Sequence, residues 1–298
     1  MTELEKRFIE AYKGLAVCDA VGYRFEFDLG IDAKDVSRYA KDAEVLRISD
    51  DTQMTLFTLE AVSEIMKLDE AYFLVNAREY AYESRLRYAY LNWFKTQSSQ
   101  SISPPLHDDW YNSSLLSVPE LYYQRAPGNT CLSALSTLKN GGTVKNDSKG
   151  CGSVMRILPI MLLRENYDLE DTIKIGQTSG NVTHKHSENA LAIAKYIKAM
   201  ESLWADSDWV HKIAHRVPQI SDIGEGWTAM ECVDMGIWAY VNAHSFEELM
   251  ELSIAHDGDS DSTGAIAGSL WGMAGKKVPD EYVAKLDVPL SVMLNIIQ

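Results

Sequence analysis

Apolar residues recur three and four positions apart through most of this chain, as at Phe8, Tyr12 and Leu15 or at Met54, Phe57, Ala61 and Ile65, while alternating strand patterns are scarce. That periodicity predicts an all-α fold. Further helices are expected around residues 70–96, 131–138, 153–165, 187–203, 231–243, 246–255 and 263–274. Breaks are expected at 103–105 (SPP), 126–129 (APGN) and 140–147 (NGGTVKND), where Gly, Pro and Asn cluster. No internal repeat or low-complexity linker divides the 298 residues, and the polar clusters come from both ends, so one compact helical domain over 1–298 is expected. With 46% hydrophobic residues the chain can bury a substantial core.

The polar composition narrows the function classes. A net charge of −15 argues against generic binding to nucleic acid or to anionic lipid by counterion release. No run of about eighteen apolar residues is present to span a membrane. The first residues, MTELEKRFIEAYKGLAV, read as a charged amphipathic helix rather than a secretory leader, so a soluble cytoplasmic protein is expected. The four cysteines, Cys18, Cys131, Cys151 and Cys232, lie far apart with no CxxC pair. That suits a reduced compartment and argues against structural zinc.

Two acidic clusters stand directly before helical patterns. Ser49-Asp50-Asp51 precedes one, and Asp257-Gly-Asp259-Ser-Asp261-Ser262-Thr263 precedes the other, GAIAGSLWGMAG, whose small residues allow close helix approach. Carboxylates at helix starts are favoured by capping and by the macrodipole. Capping accounts for one or two of these side chains but not for three aspartates at alternate positions, because the orphan N–H groups are few and the remaining carboxylates repel. A cation is expected there. An EF-hand is excluded, because with Asp257 at position one, position six is Ser262 rather than Gly and position twelve is Gly268 rather than Glu. What remains is a set of carboxylate and hydroxyl oxygens suited to Mg²⁺ or Mn²⁺, and if the clusters meet, two dications neutralise what one cannot. Gly150-Cys151-Gly152-Ser153 reads as a turn whose backbone N–H groups can hold a phosphate or a ribose hydroxyl. Thr183-His184-Lys185-His186 precedes another helix, and His211 and His215 lack the glutamate of a zinc-protease motif.

Taken in order, GLAVCDAVGYRFEF (14–27), ISDDTQM (48–54), PGNTC (127–131), GCGSVMRILP (150–159), THKHSENA (183–190), GEGW (224–227) and DGDSDSTGAIAG (257–268) resemble the segments of the ADP-ribosylglycohydrolases, including the dinitrogenase reductase-activating glycohydrolases. The resemblance implies an orthogonal helical domain with a central dinuclear Mg²⁺ or Mn²⁺ site. It implies metal ligands at Ser49, Asp50, Asp51, Asp259, Asp261 and Ser262, and catalytic roles for Glu26, Asp50 and Asp261, with Glu26 able to close over the substrate. It places Gly128, Asn129, Gly150, Cys151, Gly152, Ser153 and His186 around the ADP-ribose. The implied substrate is an ADP-ribosylated protein or other macromolecule, with ADP-ribose as product. Ala126 stands where arginine-directed bacterial members carry an aspartate, which weakens the case for arginine specificity and leaves the acceptor open among arginine, serine, another side chain, a nucleic-acid base or a small molecule. Cys151 replaces a common Asn and His256-Asp257 a common Gly-Gly, and Ala126 with His256-Asp257 is expected nearer the acceptor. Two other readings are a dimetal phosphohydrolase acting on a nucleotide and a silent structural relative of the same fold.

Overall fold

The computed structural model describes residues 1–68, 78–97, 113–214 and 216–297. The expected break at 103–105, the first part of the helix expected over 70–96, and His215 lie outside them. Within the described residues the chain is all helical turns and coil, with two isolated β-bridges, Leu46 to Leu286 and Gly150 to Thr228. The α-helices, in chain order, are α1 (Glu3–Gly22), α2 (Ala33–Asp42), α3 (Asp50–Met66), α4 (Arg78–Thr96), α5 (Asn129–Lys139), α6 (Leu169–Asn181), α7 (Ser187–Trp204), α8 (Trp209–Ile213), α9 (Ala229–Asn242), α10 (Phe246–Ile254), α11 (Ser260–Met273), α12 (Asp280–Val283) and α13 (Leu290–Ile297). No described helix is long and apolar enough to cross a membrane.

The centre of the molecule is the pair α1 and α11. Every residue of α11 is buried, and so is α1 from Gly14 to Gly22, as expected of helices with no solvent-facing stripe. They approach backbone to backbone because glycines face one another. An added Cβ at Gly14 would lie 2.1 Å from the carbonyl oxygen of Gly268, at Gly264 2.9 Å from that of Cys18, and at Gly22 2.4 Å from that of Ser260. As the contact position climbs along α1 it descends along α11, so the helices run antiparallel. This direction sets up the site: it brings the C-terminal end of α1, and the loop leaving it, against the N-terminal end of α11.

The other helices wrap this pair. α9 and α10 pack on α11, α4 on α3, and α6 on α7. The helix expected over 153–165 is instead two 3₁₀ stretches, Cys151–Ser153 and Leu158–Glu165. Pro159 interrupts the expected helix, since it lacks an N–H and disfavours α geometry in the residue before it. The bonds there span three residues, as from Ile157 N–H to the Val154 carbonyl and from Ile160 N–H to that of Ile157.

Candidate active site

The antiparallel core gathers the ordered motifs at one end. Asp19, one turn before the end of α1, is fully buried, and its carboxylate accepts from the backbone N–H of Ser49 at 3.1 Å and of Thr52 at 3.2 Å, and from the Thr52 hydroxyl. It thereby anchors the first turn of α3. The Ser49 hydroxyl caps that helix, accepting from Asp51 N–H at 3.1 Å. Asp50 is fixed through its own N–H, which donates to the Arg125 carbonyl at 3.0 Å, and its carboxylate accepts from Gly128 N–H. On the opposite wall Asp259 caps α11 by accepting from Ser262 N–H at 3.3 Å, while Asp261 accepts from the same N–H at 2.9 Å. The segment 224–227 seats that loop: Asp259 N–H donates to the Glu225 carbonyl at 2.8 Å, and a Cβ on Gly258 would sit 1.9 Å from the same oxygen. The segment 149–151 is joined to 227–229 by bonds from Cys151 N–H to Trp227 O and from Ala229 N–H to Lys149 O.

These walls enclose a cavity of about 180 Å³ lined by Glu26, Asp50, Asp51, Asp259, Asp261 and Ser262, with Gly128, Asn129, the 150–152 turn, His184 and Trp227 completing it. A larger hollow of about 530 Å³ lies between residues 24–32 and α2. Its two arginines are each paired, Arg24 with Asp28 at 2.8 Å and Arg38 with Asp35 at 2.7 Å, and Asp32 caps α2. The smaller cavity differs because its carboxylates are buried with no cationic side chain among the described residues beside them. Oε2 of Glu26, Oδ2 of Asp51 and Oδ2 of Asp259 are buried without a hydrogen-bond partner. Two buried arginines of these segments are engaged elsewhere, Arg125 with Asp287 at 2.7 Å and Arg156 with Ser179 and Thr183.

Burial, then the neighbouring Asp261, raises every other carboxylate here. Asp50 and Asp51 are pushed well above the usual range, Asp19 to about 7 and Glu26 to about 10, while Asp259 is also raised well above it by burial and Asp261. Asp261 itself is raised by burial against several opposing hydrogen bonds. These are the signs of like charges held together out of water. As placed, no three acidic, imidazole or thiol groups among the described residues converge closely enough to enclose an ion.

The expected ligand-facing residues divide. Glu26, Gly128, Asn129, Gly150, Cys151 and Gly152 line the cavity. Ser153 does not, because its hydroxyl turns to the Gly150 carbonyl and to Asn189. His186 does not line it either, and caps α7 by accepting from Glu188 N–H at 3.1 Å. His184 lines it instead. The N–H groups of Gly150 and Cys151, expected to face a ligand, are taken by Ser148 Oγ and the Trp227 carbonyl. The glycines there serve clearance, since a Cβ at Gly152 would lie 3.0 Å from Cys131 Sγ and 3.1 Å from the His184 ring.

Among the departures, Ala126 lines the cavity in the left-handed region, with φ 53°. His256 and Asp257 do not line it. The buried His256 ring contacts the Ser253 carbonyl and Thr263 Oγ1, and Asp257 Oδ1 accepts from Gly30 N–H at 2.6 Å. Asp257 thus ties the loop that carries Glu26 to the loop that carries Asp259. At the mouth, exposed Phe27 stacks on Trp227 with ring centres 6.4 Å apart. Asp19, His184 and Trp227 are site residues that the sequence reading did not single out.

The geometry sets the comparisons with known proteins in context. The chain is 22% identical over 325 residues to an uncharacterized protein of Archaeoglobus fulgidus, covering 95% of this chain and 92% of the relative. A solved structure described as an ADP-ribosylglycohydrolase-related protein complex shares the fold, with a TM-score of 0.64 at 18% identity, covering 100% of this chain and 98% of that one. The model of the ADP-ribosylglycohydrolase family matches residues 1–295, and the chain belongs to that family.

Proposed function

We propose that this protein hydrolyses the glycosidic bond between ADP-ribose and an acceptor, with two Mg²⁺ or Mn²⁺ ions held by Ser49, Asp50, Asp51, Asp259, Asp261 and Ser262. The observation that carries this reading is the set of orphaned carboxylate oxygens on Glu26, Asp51 and Asp259 around one cavity. Buried charge without a partner is costly, and the hard oxygens present are those that bind small dications. Such ions supply positive charge that grips the sugar diol and offsets the acidic cluster.

The chain's own residues account for the remaining demands. Asp19 holds the first turn of α3 so that Asp50 and Asp51 face Asp259 and Asp261 across the cavity. Glu26, on the loop after α1, would be ionised once bound ions offset the neighbouring carboxylates, and would then hold a water and take its proton. The negative wall stabilises the positive charge that develops on the sugar as the glycosidic bond breaks. Gly128, Asn129 and the close-approach glycines at 150 and 152 leave room for the diphosphate. Ala126 puts no carboxylate on the acceptor side.

The test is product analysis. Incubation with ADP-ribosylated arginine, serine and nucleic-acid substrates in Mg²⁺ is expected to release free ADP-ribose, and Asp261→Asn to abolish release. Inorganic phosphate as the product, from a nucleotide, would replace this reading with a phosphohydrolase.

A further inference from the structure

Arg156 is fully buried and plays no part in the acidic cluster, yet it connects to the cavity through two side chains. Its guanidinium lies over the Tyr90 ring at 4.1 Å. Nη2 donates to the Ser179 carbonyl at 2.9 Å and to Thr183 Oγ1 at 2.8 Å. Nη1 faces the sulfurs of Met54 and Cys131, each at 3.7 Å. Thr183 Oγ1 in turn lies 2.9 Å from His184 Nδ1.

Acceptor strength favours one assignment of the donors and acceptors along this chain. A guanidinium only donates, so Thr183 Oγ1 is an acceptor towards Arg156. The hydroxyl has a single proton, which goes either to His184 Nδ1 or, if Nδ1–H donates to the second lone pair of Oγ1, to the Cys131 sulfur; the imidazole nitrogen is much the stronger acceptor. That proton therefore points to Nδ1, which must be bare, and a neutral imidazole with a bare Nδ1 carries its hydrogen on Nε2. Nε2 has no hydrogen-bond partner among the described residues, and the ring lines the cavity. The absent side chains at 150 and 152 keep the ring edge open: a Cβ at Gly150 would stand 3.3 Å from Nε2.

We propose that Arg156 and Thr183 are positioning residues that fix His184 as its Nε2–H tautomer, giving the cavity a neutral donor for an oxygen of the bound ligand. This deepens the functional reading and rests on it only in taking ADP-ribose as the ligand. The ring stays neutral across the working pH range, because burial and the Arg156 charge hold its pKa down at about 3. A neutral donor suits this cavity. It can grip a phosphate or hydroxyl oxygen without adding a cation that the facing carboxylates would draw away.

The experiment uses the full-length protein labelled with ¹⁵N-histidine and reads the tautomer of His184 from long-range proton–nitrogen correlations, assigned by comparison with His184→Gln. The wild type is expected to show a protonated Nε2 and a bare Nδ1. Thr183→Val, which keeps the shape and removes the hydroxyl, is expected to mix the tautomers and weaken ADP-ribose binding about tenfold in calorimetry. Thr183→Ser should restore both. His184→Gln, which can offer an amide N–H near the Nε2 position, should bind more tightly than His184→Ala. An Nδ1–H tautomer in the wild type would overturn the proposal. So would unchanged ring resonances and affinity in Thr183→Val. Failure of the wild type to bind ADP-ribose would refute the ligand reading instead, and the ring resonances would still decide the tautomer.

Discussion

Replacing Gly268 by alanine tests the core on which the site depends. The added methyl would stand 2.1 Å from the Gly14 carbonyl oxygen, 2.4 Å from its carbon and 2.9 Å from Cys18 Sγ. Ordinary contact begins at about 3.5 Å, so α1 and α11 would have to part by roughly an ångström. Alanine brings about 1 kcal/mol of intrinsic helix propensity over glycine. Overpacking against side chains costs about 1–3 kcal/mol, and here the obstruction is backbone, which cannot rotate away, so the upper end applies. The net loss is then about 2 kcal/mol, or roughly 3 °C in a chain of this size. Activity should fall further than stability, because the same helix pair sets the spacing between Asp19 and Asp261, and misplacing reacting groups by about 1 Å can cost about a hundredfold. Urea unfolding followed by circular dichroism, with turnover measured beside it, reads both quantities. Leu191→Ala, at an exposed position on α7, serves as control and should change neither. A Gly268→Ala protein as stable and active as the parent would refute the close-contact account.

Three further outcomes are expected. Asp51→Asn and Asp259→Asn should lose turnover by about a hundredfold or more, yet melt higher than the parent in EDTA above pH 7, because each removes a repelling charge; unchanged melting in EDTA would mean that these carboxylates do not repel one another. Groups with raised pKa contribute stability that is present below about pH 4 and lost as pH rises through the folded values, about 7 for Asp19 and about 10 for Glu26. The buried His184 and His256, lowered to about 3 and about 4, act in the opposite sense only below about pH 6.5. In EDTA the melting temperature should therefore fall between pH 6.5 and 9, Mg²⁺ should flatten the curve, and a flat curve without metal would count against the cluster. Asp257→Ala, which removes the acceptor of Gly30 N–H, should speed hydrogen exchange at Gly30 while leaving α11 protected.

The sequence made the helices legible where an apolar stripe meets the core, as in α3, α7 and α9. It was silent for α2, where only Val36 and Ala40 are buried, and for α6, whose glycines and polar residues break the stripe, although Asp32 and Asp168 both cap as such residues do. Each acidic cluster was legible as a helix start, but their meeting was only a condition in the sequence and follows from Asp19, which holds the first turn of α3 against the N-terminal end of α11. The role of Asp19 was not legible, yet a lone carboxylate inside the apolar run GLAVCDAVG was the available signal. His186 and His184 could not be separated by pattern, since which imidazole faces the cavity depends on where α7 begins. Ser153 was lost in the same way, its hydroxyl turning to the Gly150 carbonyl and Asn189.

The pairing of α1 with α11 also bears on how the molecule is made. Gly14 meets Gly268 across some 250 residues of intervening chain. At about 5–20 residues per second, α1 waits roughly 10–50 s on the ribosome for its partner. During that wait its small-residue face has no native cover, and Asp19 has only the first turn of α3 beside it. The carboxylates of α11 join it last. Synthesis therefore postpones the electrostatic penalty of the site until nearly every other helix is available to absorb it.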